Sequence, residues 1–343
     1  MISKKTATIR DVAHKAGVSP GTVSRAINKS PLVSEETRRR IMDVVRELDY
    51  VPNIAARRLS TGKALAVVVI VPFFTRPSVS ERLNGALSLL SQTQYDLIIH
   101  NIESPEQRAI CFDTIPRRDQ ADGVLIISIS PTDDEVPKLA QAEVPIVLID
   151  TSQPELTMFP RVTVDDVAGG RMATEYLIQL GHTRIGFIGD VMENPFNFRA
   201  SRDRYTGYLE ALGQAGIAAR QEYHGEGEHD RCEARRLARE MLARPERPTA
   251  VFASSDTQAV GVLEAAREMG LCVPEDLSVI GYDDIEVADI LGVTTVRQLL
   301  FASGQRGVEL LLEALENPEF EPVHEVLPTE LVVRGTTGPA LGI

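Results

Sequence analysis

The sequence predicts a small all-α head followed by an α/β body, in which doubly wound parallel sheets form two lobes. The head is indicated by three short amphipathic segments within residues 1–63, each preceded by a helix-capping residue. The body is indicated by short apolar runs that alternate with amphipathic segments from residue 64 onward. The chain of 343 residues is long enough for two or three compact units.

The charge of the chain is divided unevenly. Residues 1–63 contain thirteen Lys or Arg and six Asp or Glu, a net charge of +7, whereas the remainder carries −20. The total of −13 alone would argue against a nucleic-acid partner. A basic head on an acidic body is nevertheless expected when only the head contacts phosphates.

The cysteines and the apolar runs exclude several classes of protein. Cys111, Cys232 and Cys272 are odd in number and far apart, so we expect neither a disulfide framework nor a zinc site. The N-terminus has no apolar stretch of signal-peptide length. The longest apolar run, ALAVVVIVPFF, is shorter than the roughly 18 residues that a membrane span requires. We therefore expect a cytoplasmic protein with no membrane partner.

A capping box predicts the first helix of the head. Thr8 is followed three residues later by Asp11, so the hydroxyl and the carboxylate can each accept a hydrogen bond from an amide at the helix start. We expect this helix to run from about Ile9 to Lys15. It should end at Gly17, because glycine readily adopts the left-handed conformation that often follows a helix.

A short turn separates this helix from a second one. Ser19 is expected to cap the second helix, with Pro20 in its first position, and a third helix is expected to begin at Ser34. The first two helices should pack through Val12, Ala13, Ala16, Val23, Ala26 and Ile27. Two helices joined by a tight turn can present one helix to the major groove of DNA, whereas the alternative is a plain helical domain.

A resemblance to a known family extends over the whole head. It is carried by TIRDVAHKAGVSPGTVSRAINKSPLVSEETRRRIMDVVRELDYVPNIAARRLSTGK, which is similar without gaps, from Thr8 to about Leu59, to the DNA-binding head of the LacI/GalR family of bacterial transcription regulators. The resemblance implies that the second helix enters the major groove. There Arg25 suits a bidentate contact with guanine, whereas Pro20 and Gly21 have no side-chain donor. The DNA-binding residues implied are Ser19, Pro20, Gly21, Thr22, Ser24, Arg25, Asn28, Asn53, Arg57 and Leu59.

The segment NIAARRLS joins the head to the body. Asn53 can cap a helix, but a helix over 54–59 is shorter than the ~12–15 residues that an isolated helix needs to be even marginally stable in water. The resemblance implies a hinge helix that folds when two copies meet in the minor groove, with Leu59 wedged between base steps. An ordinary linker is the interpretation that the residues alone favour.

Short apolar runs predict the strands of the body. They are AVVVIV, YDLIIH, GVLIISI, PIVLID, RIGFIG, TAVFAS and LSVIGY, with helix starts expected at Ser78 with Glu81 and at Ser104. These strands are too many for one compact sheet with short connections, which predicts two lobes. A cleft lined by the carboxyl ends of their strands is the expected ligand site.

The body also resembles a known domain. VTVDDVAGGRMATEYLIQLGHTRIGFIG, RDRYTGYLEAL, PTAVFASSDTQAVGVLEAAREMGLCVPEDLSVIGYDDIEVADI and TTVRQ are similar to the effector-binding domain of the same family, itself related to periplasmic sugar-binding proteins. The expected ligand-binding residues are Arg204, Ser255, Asp256, Asp283 and Gln298. Ser255 departs from the Asn usual in relatives, and VPFFTRPSVSER lacks their Asn-Pro-Phe run. Acidic and hydroxyl groups at strand ends suit a sugar, although they are also common helix caps.

The predicted domain organisation follows from these observations. Residues 1–52 form a helix-turn-helix domain, 53–63 the hinge helix and linker, and 64–343 the effector-binding and dimerisation domain. Within the body, the first lobe is expected at about 64–161 and 292–322. The second lobe is expected at about 162–291 and 323–343.

Motifs for catalysis, cofactors and metals are not found in the sequence. HExxH, GxGxxG and GxxxxGK[ST] do not occur, so we expect neither an enzyme nor a nucleotide cofactor. The run HGEGEHDRCE could bind a metal, but a solvated acidic loop is the preferred interpretation. Its candidate ligands would be His224, Glu226, Glu228, His229 and Asp230.

The sequence therefore predicts a transcriptional repressor whose affinity for operator DNA is changed by a small-molecule effector, a sugar or related metabolite. One head reads only a half-site, so a homodimer on a pseudo-palindromic operator is expected. The alternatives are a solute-binding module of a transport system, against which the basic head argues, and a Rossmann-type enzyme, which lacks a phosphate loop.

Overall fold

The structure is a computed structural model that describes residues 7–27, 30–51, 63–317 and 319–340. The chain divides into two compact units, residues 1–63 and 64–343. No helix within the described ranges is both long and apolar enough to cross a membrane.

The head contains the three predicted helices α1 (Ile9–Ala16), α2 (Pro20–Ile27) and α3 (Glu35–Glu47). The capping box at α1 is confirmed: Asp11 N donates to Thr8 Oγ1, and Thr8 N donates to Asp11 Oδ2 at 2.8 Å. Gly17 follows α1 with φ 63°, the left-handed conformation that the sequence predicted. The core of the head contains Val12, Ala13, Ala16, Val23, Ala26, Val33, Ile41 and Val44.

The first lobe of the body is built on a parallel sheet. Its strands are β1 (Ala66–Pro72), β2 (Asp96–Ile102), β3 (Gly123–Ile127), β4 (Ile146–Ile149), β5 (Arg161–Val164) and β11 (His324–Leu327). Their order is β11–β5–β4–β3–β1–β2. The central strands are apolar on both faces because each face is covered by a core cluster.

The second lobe repeats this plan. Its strands are β6 (Ile185–Asp190), β7 (His224–Gly227), β8 (Ala250–Ala253), β9 (Ser278–Asp283), β10 (Thr294–Arg297) and β12 (Glu330–Val332). Their order is β12–β10–β9–β8–β6–β7, and only β12 pairs antiparallel within the described part of this sheet.

Helices cover both sheets. They are α4 (Pro77–Leu90), α5 (Pro105–Thr114), α6 (Val136–Ala140), α7 (Asp166–Gln179), α8 (Ala200–Gln214), α9 (Arg231–Leu242), α10 (Asp256–Glu268), α11 (Glu286–Ile290) and α12 (Leu300–Glu316). Ser104 caps α5 as predicted. The predicted cap at Ser78 is wrong: α4 begins at Pro77, its N-cap residue is Arg76, and no side-chain cap is present there among the described residues.

The predicted lobe boundaries differ from the observed sheets at three short strands. Residues 162–164 belong to β5 in the first sheet, 294–297 form β10 in the second, and 324–327 form β11 in the first. The reason is pairing: Leu148 lies opposite Arg161 in a parallel ladder, so the chain completes β5 before it leaves the first lobe. The predicted hinge segment 53–63 lies, apart from Lys63, outside the described residues.

Two glycines allow α7 and α8 to approach closely. A Cβ on Gly207 of α8 would lie 2.0 Å from the carbonyl oxygen of Val167, and one on Gly170 of α7 would lie 2.1 Å from that of Arg204. Such distances are far below van der Waals contact, so only glycine fits. The close approach brings Arg204 on α8 next to Asp166, the first residue of α7.

Gly207→Ala should force α7 and α8 apart. We expect the free energy of unfolding to fall by about 2–3 kcal/mol, as for other overpacked sites, in urea titrations followed by circular dichroism. Gly213→Ala on the same helix is the matched control, because a Cβ there meets nothing within 4 Å. The control should be neutral or gain about 0.5–1 kcal/mol. Equal stability of the two variants would contradict the close-packing argument.

Candidate functional site

Helix α2 presents a polar face to solvent in the head. Pro20, Gly21 and Arg25 are exposed, whereas Val23 and Ala26 are buried against α1 and α3. Arg25 Nε donates to the carbonyl oxygen of Gly21 at 3.2 Å, so its guanidinium lies along the first turn of the helix. The exposed face therefore carries one cation beside residues without long side chains.

The start of α2 is fixed by its cap. Thr22 N donates to Ser19 Oγ at 3.1 Å, and the two hydroxyls are 2.9 Å apart. Ser24 is half-buried on the same helix. The other predicted DNA-binding residues, Asn28, Asn53, Arg57 and Leu59, lie outside the described residues.

A narrow cavity of about 70 Å³ lies between the two lobes of the body. The carboxyl ends of strands from both sheets line it, as the doubly wound topology requires. These strand-end residues include Pro72, Ser128, Asp150, Asp190, Ser254, Asp283 and Gln298. An adjoining pocket of about 280 Å³ shares Arg76, Asp190, Phe198 and His229 with it.

Arg204 is a buried cation that lines this cavity. Its Nε donates to Asp166 Oδ1 at 2.8 Å, and its Nη1 donates to the carbonyl oxygen of Ser254 at 2.6 Å. Asp283 Oδ1 lies 3.6 Å from the same Nη1, and the guanidinium stacks 3.6 Å above the ring of Tyr282. Burial lowers the pKa of Arg204, but Asp166 and Asp283 raise it above its ordinary value, so the guanidinium stays charged.

Gln298 connects the two lobes within the cavity. Its Nε2 donates to Asp283 Oδ1 in the second lobe, and its Oε1 accepts from Arg82 Nη2 on α4 of the first lobe at 2.9 Å. The same Nη2 lies 3.0 Å from Asp150 Oδ1. A continuous chain of polar contacts thus runs from Asp150 through Arg82, Gln298, Asp283 and Arg204 to Asp166.

Three of the five predicted ligand-binding residues, Arg204, Asp283 and Gln298, lie together at this cavity. Ser255 and Asp256 do not line it within the described part of the chain. Ser255 Oγ caps α10 by accepting from Gln258 N, and Asp256 accepts hydrogen bonds from Ile285 N and Thr295 Oγ1. These two side chains therefore hold α10 and β10 in place, and their predicted contact with a ligand stays a prediction.

Sequence reasoning missed several residues of the cavity. Arg76, Arg82, Asp150 and Arg199 line it. Arg82 is only 2% exposed although it lies on a helix, where an arginine normally faces solvent. Arg76 immediately precedes α4, and Arg199 immediately precedes α8. Their positions before helices are the signal in the sequence that could have identified them as residues of the cavity.

The segment after β6 joins the second lobe to the core of the first. Phe196 is 8% exposed, belongs to the core cluster of the first lobe, and meets Phe73 edge to face with ring centroids 5.4 Å apart. Asn197 Nδ2 donates to the carbonyl oxygen of Ser130 at 3.3 Å. The residues that follow, Phe198 and Arg199, line the cavity.

The acidic run HGEGEHDRCE has structural contacts. His229 Nδ1 lies 3.0 Å from Asp190 Oδ1, and His224 stacks on Tyr205 with ring centroids 4.1 Å apart. Asp230 caps α9 through the amides of Cys232 and Glu233. Within the described ranges, no group of three or more His, Cys, Asp or Glu side chains is placed to hold a metal ion.

Several residues at this end of the sheets have left-handed backbone conformations that are unusual for side chains other than glycine. They are Phe73, Ser128, Asp150, Asp283, Asp284 and Leu299. Such conformations cost roughly 1–3 kcal/mol each and are found at functional sites, where the surrounding structure enforces them. Here they fix the directions of Asp150 and Asp283 toward the cavity.

Comparison with known proteins identifies the family. The model described as bacterial regulatory proteins, lacI family, matches residues 8–53, and the model of a periplasmic binding protein-like domain matches residues 174–337. The HTH-type transcriptional repressor PurR of Vibrio campbellii is 34% identical over 335 residues, which are 96% of this chain and 98% of the relative. The chain belongs to the LacI family.

Other comparisons agree on this LacI-family regulator. The repressor CytR of Escherichia coli is 32% identical, with 96% of each chain covered. The Lac repressor dimer bound to operator and the anti-inducer ONPF has a TM-score of 0.85 at 27% identity, covering 97% of this chain and 100% of that one. The regulator CelR in complex with cellobiose has a TM-score of 0.71 at 32% identity, covering 96% and 99%. The predicted fold class and the role of a DNA-binding transcriptional regulator rather than an enzyme are confirmed.

The titration of Asp166 gives a test of the buried network. Burial raises its pKa to about 6, although Arg204 lowers it. An aspartate in an unfolded chain titrates near pH 3.9. The folded protein therefore binds more protons between about pH 4 and pH 6, and the contribution of this group to stability falls as the pH rises.

Asp166→Asn removes this titration. Between about pH 4 and pH 7 the difference in the free energy of unfolding between the two proteins should shift in favour of the variant by about 2 kcal/mol. The shift arises because only the unmodified protein loses the contribution of this group as the pH rises. Urea unfolding of the full chain at a series of pH values, followed by circular dichroism, measures the difference. A difference that stays constant with pH would contradict the raised pKa.

Proposed function

We propose that this regulator is a homodimeric repressor that works in the cytoplasm, reads a pseudo-palindromic operator with α2 of each head, and binds a polyhydroxylated effector in the cavity between the lobes. The observation that carries the proposal is the joint occurrence of an exposed arginine on a capped helix-turn-helix and a buried polar chain that connects two lobes. The effector acts by binding more tightly to one arrangement of the lobes than to another.

The head supplies the surface for DNA. Arg25 is exposed on α2 and can donate two hydrogen bonds to O6 and N7 of guanine. Pro20 and Gly21 leave space beside it, while Ser19, Thr22 and Ser24 are assigned to phosphates and register. Asn28, Asn53, Arg57 and Leu59 complete the proposed set by resemblance to the family. A homodimer is supported by the similarity to the Lac repressor dimer on its operator.

The cavity supplies the effector site. Its carboxylates and its amide, Asp150, Asp283 and Gln298, suit the hydroxyl groups of a sugar, and the positively charged Arg204 can donate further hydrogen bonds. Similar proteins support this class of ligand, since the solved structures include one with cellobiose and one with ribose. The position of Gln298 between Arg82 and Asp283 means that a ligand there touches groups of both lobes.

Arg25→Gln tests the assignment of α2. Selection of bound duplexes from a random pool should yield a two-fold symmetric site for the unmodified protein. The variant should lose about 1–3 kcal/mol of binding free energy and its preference at one base pair of each half-site. Arg40→Gln, an exposed cation on α3, is the control and should weaken all duplexes alike. Unchanged preference at every position in Arg25→Gln would refute the assignment.

Gln298→Leu tests the coupling between the cavity and DNA binding. The substitution keeps the side-chain size but breaks the connection between Arg82 and Asp283. The ratio of operator Kd values with and without saturating effector should move toward one, as measured by fluorescence anisotropy after an effector has been found by screening sugars, sugar phosphates and sugar acids. An unchanged ratio in the variant would show that Gln298 does not transmit the effector signal.

A further inference from the structure

The described residues that line the cavity include more arginines than aspartates. Each lining carboxylate has a cationic or histidine partner: Asp150 lies 3.0 Å from Arg82, Asp283 lies 3.6 Å from Arg204, and Asp190 lies 3.0 Å from His229. Two further arginines, Arg76 and Arg199, line the same space. The described residues provide neither of these two with an ion pair.

Arg76 and Arg199 lie at the cavity, and no described carboxylate is close enough to either to form an ion pair. The guanidinium of Arg76 lies 4.3 Å from the ring centroid of Phe73 and 5.5 Å from that of Phe198. Burial lowers the pKa of Arg76, whereas the more distant charges of Asp190 and Glu228 raise it. The Nε of Arg199 is buried and has no hydrogen-bond partner among the residues described. Both arginines are half-buried, and a cation that is partly removed from water without an anionic partner costs free energy, which a bound anion would offset.

Both arginines also occupy the N-cap position of a long helix. Arg76 precedes α4 and Arg199 precedes α8, and the described structure shows no side-chain cap at either helix. The first residues of both helices, Ser78, Val79, Ala200 and Ser201, line the cavity. The amides of a first helical turn have no acceptor within their own helix, and the helix dipole is positive there. Two helix N-termini therefore add to the positive potential of the same space.

A third arginine, Arg82, also favours a ligand that supplies hydrogen-bond acceptors. Arg82 is 2% exposed and lines the cavity, yet its Nε has no hydrogen-bond partner in the described part of the structure, although its Nη2 is bound to Gln298 and Asp150. A guanidinium N–H that is removed from water and left unpaired destabilises the protein. An acceptor supplied by a ligand would remove this cost.

We propose that the effector carries an anionic group, a phosphate or a carboxylate, which binds between Arg76, Arg199 and the N-termini of α4 and α8, while Arg82, Arg204, Asp283 and Gln298 bind its hydroxyl groups. This inference rests on the proposed effector site and specifies the chemical class of its ligand. The ligand is a sugar phosphate or a sugar acid rather than a neutral sugar. Guanidinium groups form paired hydrogen bonds with both kinds of anion, which explains why arginine serves here.

Ligand binding to the full-length protein tests the proposal. Isothermal titration calorimetry is performed with glucose 6-phosphate, glucuronate, glucose and inorganic phosphate at constant ionic strength, because salt screens such contacts. The proteins compared are the unmodified chain, Arg76→Gln, Arg199→Gln and the charge-retaining Arg199→Lys. Arg244→Gln is the matched control, since Arg244 is exposed and lies outside the cavity lining in the described structure. Circular dichroism establishes whether each variant is folded. If Arg76→Gln is unfolded, the comparison of Arg199→Gln with Arg199→Lys tests the proposal.

The expected result is that a phosphorylated or carboxylated sugar binds the unmodified protein and the Arg244→Gln control equally. Its Kd should rise by at least about tenfold in Arg199→Gln and in Arg76→Gln, with partial recovery in Arg199→Lys. A stronger response to glucose 6-phosphate identifies a phosphate group, and a stronger response to glucuronate identifies a carboxylate.

Two results would overturn the proposal. One is that none of the anionic probes binds at millimolar concentration, or that they bind all variants alike. The other is that glucose binds and changes operator affinity equally in the unmodified protein and in Arg199→Gln. That second result would leave the proposed effector-regulated function intact, so the two failures are distinguishable.

Discussion

The charge of Arg204, removed from water inside the second lobe, is the constraint on which the rest of the body depends. A guanidinium at 5% exposure is stable only if anions and acceptors surround it. Asp166, Asp283 and the carbonyl oxygen of Ser254 meet this need, and each comes from a different part of the chain. The pairing of α7 with α8 and the end of β9 must therefore form together. Breaking one partner would leave a buried charge, so the network favours a single arrangement of these elements.

The need of buried charged groups for partners also connects the fold to regulation. Asp283 already binds Arg204, and its hydrogen bond from Gln298 extends the network to Arg82 in the first lobe. A shift of one lobe relative to the other changes the partners of charged groups that water does not reach. Electrostatic interactions are strong in such surroundings, so small displacements carry large differences in free energy. A ligand that replaces or reinforces these partners can thus bias the arrangement of the lobes.

The sequence predicts those helices, turns and strands that are determined by residues close together in the chain. The capping box at Thr8, the turn at Gly17 and the long apolar strands such as β1 and β3 agree with the structure. Strands β5, β7 and β10 have only four residues, with polar or glycine positions, and their pairing comes from the sheet rather than from their own pattern. Ser255 and Asp256 follow a strand, where such side chains can cap a helix or bind a ligand, and their internal hydrogen bonds appear only in the tertiary structure. Arg82 gives no local signal, since its burial results from the close packing of α4 against α12.

The position of Phe196 has a consequence for the motion of the lobes. Its ring comes from the second lobe but is buried in the core of the first. Any opening that carries the segment after β6 away would transfer this ring into water, at a cost of about 2–3 kcal/mol. From this contribution alone the open state is then a minor population of roughly 0.7–4%, because a factor of ten in population corresponds to 1.4 kcal/mol. A single aromatic side chain can therefore set the threshold that an effector must overcome, and a change of its size would adjust the sensitivity of the switch without altering any group that contacts the ligand.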